Sequence, residues 1–152
     1  MSIAYLLSGF FDLNDARATV RDALRSSLGP EPLEFTVDPA TGGFDLVYEI
    51  LSVDGFTSRS PTPHLTNEGL PEHASVRFTV LDREARYLAA LRAMVSAVNA
   101  VLVEEEGEVS LSMDDTLLLS RRGKTAVLHT DLWTIDERHK LLTVPYQFAR
   151  RR

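Results

Sequence analysis

SVRFTVLD (75–82) runs directly into REARYLAALRAMVSAVNAVLV (83–103), and EVSLSM (108–113), TLLLSRR (116–122) and TAVLHT (125–130) follow in close succession. In the first segment Val76, Phe78 and Val80 alternate with polar residues, the two-residue period of a strand with one buried face. In the second, Tyr87, Leu88, Leu91, Met94, Val95, Val98, Val101 and Leu102 recur every three or four residues, which predicts a long helix with one apolar stripe. Interspersed alanines raise its helical propensity and permit close packing on a sheet. Glu104, Glu105 and Glu106 oppose the helix dipole at its C-terminus, so the helix is expected to stop near Val103. The three segments after it read as short strands, with Asp114-Asp115 and Gly123-Lys124 supplying the turns of a meander.

Toward the N-terminus, IAYLL (3–7) suits a strand covered on both faces. Asp12 or Asn14 can cap a helix running through Leu28, its apolar side formed by Ala16, Val20, Ala23 and Leu24. GPEP (29–32) stops it. LEFTV (33–37) and FDLVYEILS (44–52) read as two strands of a hairpin joined by DPATGG (38–43). Residues 54–74, with three prolines and two glycines, read as one long loop. Residues 132–148 are less regular, with Trp133, Ile135, Leu141, Val144 and Phe148 expected to pack on the body. ARRR (149–152) reads as a solvated tail. The expected architecture is a single α+β domain over 1–148. Its sheet is antiparallel or mixed, two helices pack on one face, and the order is β-α-β-β-β-α-β-β-β.

Composition narrows the function. A net charge of −6 disfavours direct nucleic-acid binding, because phosphate contact needs a basic face. The chain has no cysteine, which removes disulfide and thiolate chemistry. The apolar start lacks a basic leader region and is too short to span a bilayer, so a cytoplasmic protein without membrane contact is expected. No glycine-rich phosphate loop, no GxSxG elbow and no metal-ligand spacing among His64, His73, His129 and His139 occurs. Accordingly no catalytic, cofactor-binding or metal residue is expected. The remaining pattern is acidic: Glu104, Glu105, Glu106, Asp114, Asp115 and Asp131 recur where the C-terminal elements turn. If they shared one rim, they would steer a basic protein partner.

The order of segments resembles the SitI-type immunity proteins of bacterial polymorphic-toxin, kin-discrimination systems. The resemblance rests on MSIAYLLSG (1–9), the SVRF-type strand, ALRAMVSAVNAVL, LLLSRRGKTAVL (117–128), Trp133 and VPY (144–146). The chain departs from that pattern at LSMDDT (111–116) and VLHT (127–130). The resemblance implies a cytoplasmic protein that binds and neutralises one cognate toxin, basic and nuclease-like if it attacks nucleic acid, without cofactor or catalysis. Two other readings remain open. One is a small-molecule- or peptide-binding domain, even an enzyme, with 54–74 as its lid. The other is a protein that forms a homodimer through an exposed sheet edge.

Overall fold

The computed structural model describes residues 3–14, 19–58, 73–81 and 85–150. Its strands are β1 (Ile3–Gly9), β2 (Glu34–Val37), β3 (Phe44–Val47), β4 (Leu51–Ser58), β5 (His73–Val80), β6 (Val109–Met113), β7 (Thr116–Arg121), β8 (Ala126–Leu128) and β9 (Tyr146–Phe148). The helices are α1 (Thr19–Leu28) and α2 (Tyr87–Glu104), with two 3-10 segments at Asp131–Trp133 and Ile135–Leu141. All nine strands join one sheet in the order β2-β3-β4-β5-β1-β6-β7-β8-β9. Among the described strands only the β8–β9 pair is parallel, so the sheet is mixed and the class is α+β.

β1 lies at the centre, antiparallel to β5 on one side and to β6 on the other. β5 and β6 therefore run parallel to each other, and α2 is the crossover that carries the chain over β1. Along the row Val53–Phe78–Tyr5 and the row Leu7–Leu111–Leu119–Leu128, register places apolar side chains side by side on one face. These residues form one buried cluster with Val20 and Leu24 of α1 and Leu91, Met94, Val95 and Val98 of α2. Both helices consequently cover the same face, and Tyr87 of α2 reaches the sheet through a 3.2 Å hydrogen bond to Tyr5. The segment Ile135–Leu141 and the residues after it dock on α2, where Arg92 donates to the Asp136 carbonyl at 2.8 Å and Asn99 accepts from the Thr143 N–H at 2.9 Å.

Several expectations need correction. Residues 44–52 are not one strand: the Tyr48 N–H donates to the Leu51 carbonyl at 2.9 Å, closing a tight turn over Glu49-Ile50. The chain then enters β4, so 34–58 is a three-stranded meander instead of a hairpin. Neither turn residue is Gly, Asn, Asp or Pro, so the usual turn signal is missing there. Residues 54–58 and 73–74, expected in the loop, are strand, and the remainder of that loop lies outside the described residues. The element order gains β4 and β9 over the expected one.

Leu88 belongs to the apolar stripe by spacing, yet it is 51% exposed. As the second residue of α2 it sits at the margin of the buried arc that runs through Ala90, Leu91, Met94, Ala97 and Val101. Trp133 is fully buried as expected, with its indole N–H donating to the Leu118 carbonyl. Leu141 and Val144 pack against the core, while Ile135 and Phe148 stay about half exposed. Ile135 opens a surface 3-10 segment, and Phe148 lies on an edge strand with its ring edge-on to His139. Ala149 is no free tail residue, because its N–H extends the β8–β9 ladder to the Leu128 carbonyl at 2.8 Å.

Candidate partner-binding face

The acids singled out in sequence do not converge. Glu104 ends α2, and Glu105 and Glu106 follow it, beside the end of the β6–β7 hairpin where Val109 pairs with Arg121. Asp114 and Asp115 form the turn at the other end, where Met113 pairs with Thr116. Four residue steps separate those two ends, about 13 Å at strand rise. β8 runs away from the Arg121 end, so Asp131, just beyond it, belongs with Asp114 and Asp115. Glu104, Glu106, Asp114, Asp115 and Asp131 are exposed and Glu105 is half-buried.

The glutamate group also has a neighbour of opposite sign. Arg121 points from β7 under the C-terminus of α2, where its guanidinium donates to the carbonyls of Leu102 (2.7 Å), Gly107 (3.2 Å) and Glu105. It satisfies the Leu102 carbonyl of the last helical turn and the Glu105 and Gly107 carbonyls just beyond it, and places a cation at the negative end of the dipole. Burial lowers its pKa from the usual arginine range, and Glu106 and Glu105 oppose that shift. This cap explains how α2 ends on glutamates without unwinding earlier.

A second acidic region lies on the sheet face opposite the helices. Because side chains alternate along strands, Glu34, Thr36, Asp45, Ser52, Asp54, Arg77 and Thr79 all point there. Register aligns Thr36, Asp45, Asp54 and Arg77 in one row across β2, β3, β4 and β5. Asp45 and Asp54 thus stand directly opposite each other, a like-charge pairing that costs a sheet stability. Arg77 approaches Asp54 at 3.5 Å and also stacks on Phe56, its guanidinium 5.0 Å from the ring centroid. Thr36 donates to Asp45 at 3.2 Å. Burial pushes the Asp54 carboxyl up from the ordinary aspartate value, Arg77 draws it partly back, and Asp45 adds to the rise. Glu34, Thr36, Asp45, Val47, Ser52 and Asp54 line a shallow depression of about 300 Å³. Sequence reading missed this region because it placed Asp54 in a loop. The clue was the alternation Leu51, Val53, Gly55 against Ser52, Asp54, Phe56, which continues the strand.

Next to the acidic row runs a row of small hydroxyls. Ser75, Ser8, Ser110 and Ser120 are consecutive cross-strand partners over β5, β1, β6 and β7. Ser75, Ser8 and Ser110 are buried, and the Ser8 and Ser75 hydroxyls bond at 3.0 Å. Ser120 meets His129 Nε2 at 3.2 Å. That contact has the elements of a nucleophile and base, but here it ties β7 to the residue following β8. Among the described residues no three His, Asp or Glu side chains gather as metal ligands would.

No family model, no curated protein and no solved structure matches this chain.

Proposed function

We propose that the protein is an immunity protein, binding and neutralising a cognate polymorphic toxin in the cytoplasm by protein–protein contact and without chemistry of its own. The SitI-type resemblance supports this reading from sequence. The observation that carries it in the fold is the opposed pair Asp45 and Asp54 on the helix-free face. Two like charges held side by side weaken a free sheet; Arg77 already offsets Asp54, and a cation docking over the pair offsets Asp45 as well. The partner surface is therefore basic, as on proteins that grip nucleic acid. Glu34, Asp45 and Asp54 make the contact. The turn acids at 104–106, 114–115 and 131, exposed except for the half-buried Glu105, act at longer range, raising the rate of encounter.

The test is rescue of growth. Cells expressing a candidate cognate toxin domain are expected to survive when the wild-type chain is co-expressed. The Glu34→Lys/Asp45→Lys/Asp54→Lys variant, folded by circular dichroism, fails to protect. Reversing Glu104–Glu106 and Asp114-Asp115 instead lowers the association rate more than tenfold at low salt, by electrostatic steering, and this loss shrinks at high salt. Full protection by the sheet-face variant would rule out this surface.

A further inference from the structure

We infer that the β2 edge is where the partner joins, by adding an extended strand whose side chains alternate between apolar and basic. The inference rests on the toxin-binding reading and specifies its geometry. Among the described residues β2 ends the sheet, and its ladder leaves one side open. The Asp38 N–H donates to the Gly43 carbonyl at 2.7 Å, and Glu34–Val47, Phe35–Leu46, Thr36–Asp45 and Val37–Phe44 pair in the same register. In an antiparallel ladder the bonded pairs alternate, so Thr36 and Glu34 turn their backbone groups to β3. The N–H and C=O groups of Phe35 and Val37 then point outward, available to another strand.

The side chains beside this edge define the occupant. On the helix side Leu33, Phe35 and Val37 are 72%, 39% and 37% exposed, a partly covered apolar row one strand long. Arg25 and Arg21 of α1 lie over the Phe35 ring, at 4.5 and 5.9 Å from its centroid, and hold that ring in place. The opposite side carries Glu34, with Asp45 and Asp54 on the next two strands. Each strand is about 4.8 Å wide, so a lysine or arginine on an added strand reaches across β2 toward Asp45. Between 33 and 37 β2 carries no lysine, no proline and no inward charge, and its guards are its four-residue length and Glu34. A second copy of this chain is the wrong occupant, because pairing β2 with β2 sets two acidic faces edge to edge. Strand addition supplies main-chain bonds for affinity and alternate side chains for specificity.

The probe is an acetylated, amidated heptapeptide alternating lysine and valine, with a glutamate–valine peptide as its counterpart. Hydrogen–deuterium exchange of the full chain is expected to slow at the amides of Phe35 and Val37 with the lysine peptide and to be unchanged with the glutamate peptide. Val37→Pro removes one outward N–H and leaves the β2–β3 ladder intact, since proline is tolerated at an edge. It should abolish the protection without changing the thermal midpoint by more than a few degrees. Should Val37→Pro unfold the chain, the wild-type exchange contrast still decides. Unprotected 33–37 amides at saturating lysine peptide would overturn the inference, as would a solution mass near twice 16.9 kDa that reverts on Val37→Pro. The toxin-binding reading fails separately, by absence of growth rescue.

Discussion

In the proposed binding role, Asp54 sets stability against binding within one side chain. Its folded-state pKa lies above the unfolded value, so the folded chain holds the proton more tightly and stability falls as pH rises through that range. Asp54→Asn removes the opposed charge and is predicted to stabilise the free protein by about 0.5 kcal/mol while weakening toxin binding. Urea midpoints and a binding isotherm on one variant check both signs. His73 acts in the opposite sense. It is buried, its Nδ1 has no partner among the described residues, and burial lowers its pKa. The unfolded chain then takes up the proton first, so stability is predicted to fall as pH drops below the ordinary histidine value of about 6.5. His73→Gln should flatten that part of the urea-midpoint profile between pH 7.5 and 5.5. At this scale the sequence disclosed which residues are charged but not which face one another. Asp45 and Asp54 are nine positions apart, and only the unmarked turn at Glu49-Ile50 brings them into register.

Among the elements, α2 was the most legible, because burial alone explains its spacing: Leu91, Met94, Val95, Val98, Val101 and Leu102 are all in the core. By length and composition α2 also satisfies the criterion for a membrane span, yet that apolar stripe is spent on the sheet. Its stop, expected near Val103, falls at Glu104, and what the sequence hid was the cap. Three glutamates at a helix C-terminus read as a cause of fraying, and the compensating cation comes from Arg121, a strand residue whose side chain is long enough to reach three carbonyls. Arg121→Ala is predicted to cost about 3 kcal/mol, since it leaves those carbonyls without their charged donor. Arg121→Lys should recover part of that loss, with one donor group in place of a fork. Denaturant unfolding of the two variants measures the difference. The short edge strands were less visible. β9 is three residues long and pairs in parallel with β8, a contact set by the path of the 3-10 segments and not by any local pattern.

Across the whole molecule, the class and the helix placement were readable because amphipathic period decides them, whereas strand number and order depend on turns and returns that carry no local mark. The central position of β1 illustrates this: IAYLL signals a covered strand, but only α2 crossing over it places β5 and β6 on its two sides. The resulting sheet divides its labour. One face is spent on both helices, and the other presents an acidic half at β2, β3 and β4 beside a row of serines, three of them buried. The turn acids expected to form one rim are instead split between the two ends of the β6–β7 hairpin. The most direct measurement is calorimetric titration of a candidate cognate toxin domain into the wild-type chain and into Asp45→Lys/Asp54→Lys. The account predicts tight one-to-one binding for the wild type and at least a hundredfold loss, roughly 2.7 kcal/mol, for the folded variant. Equal affinity for both proteins would contradict it.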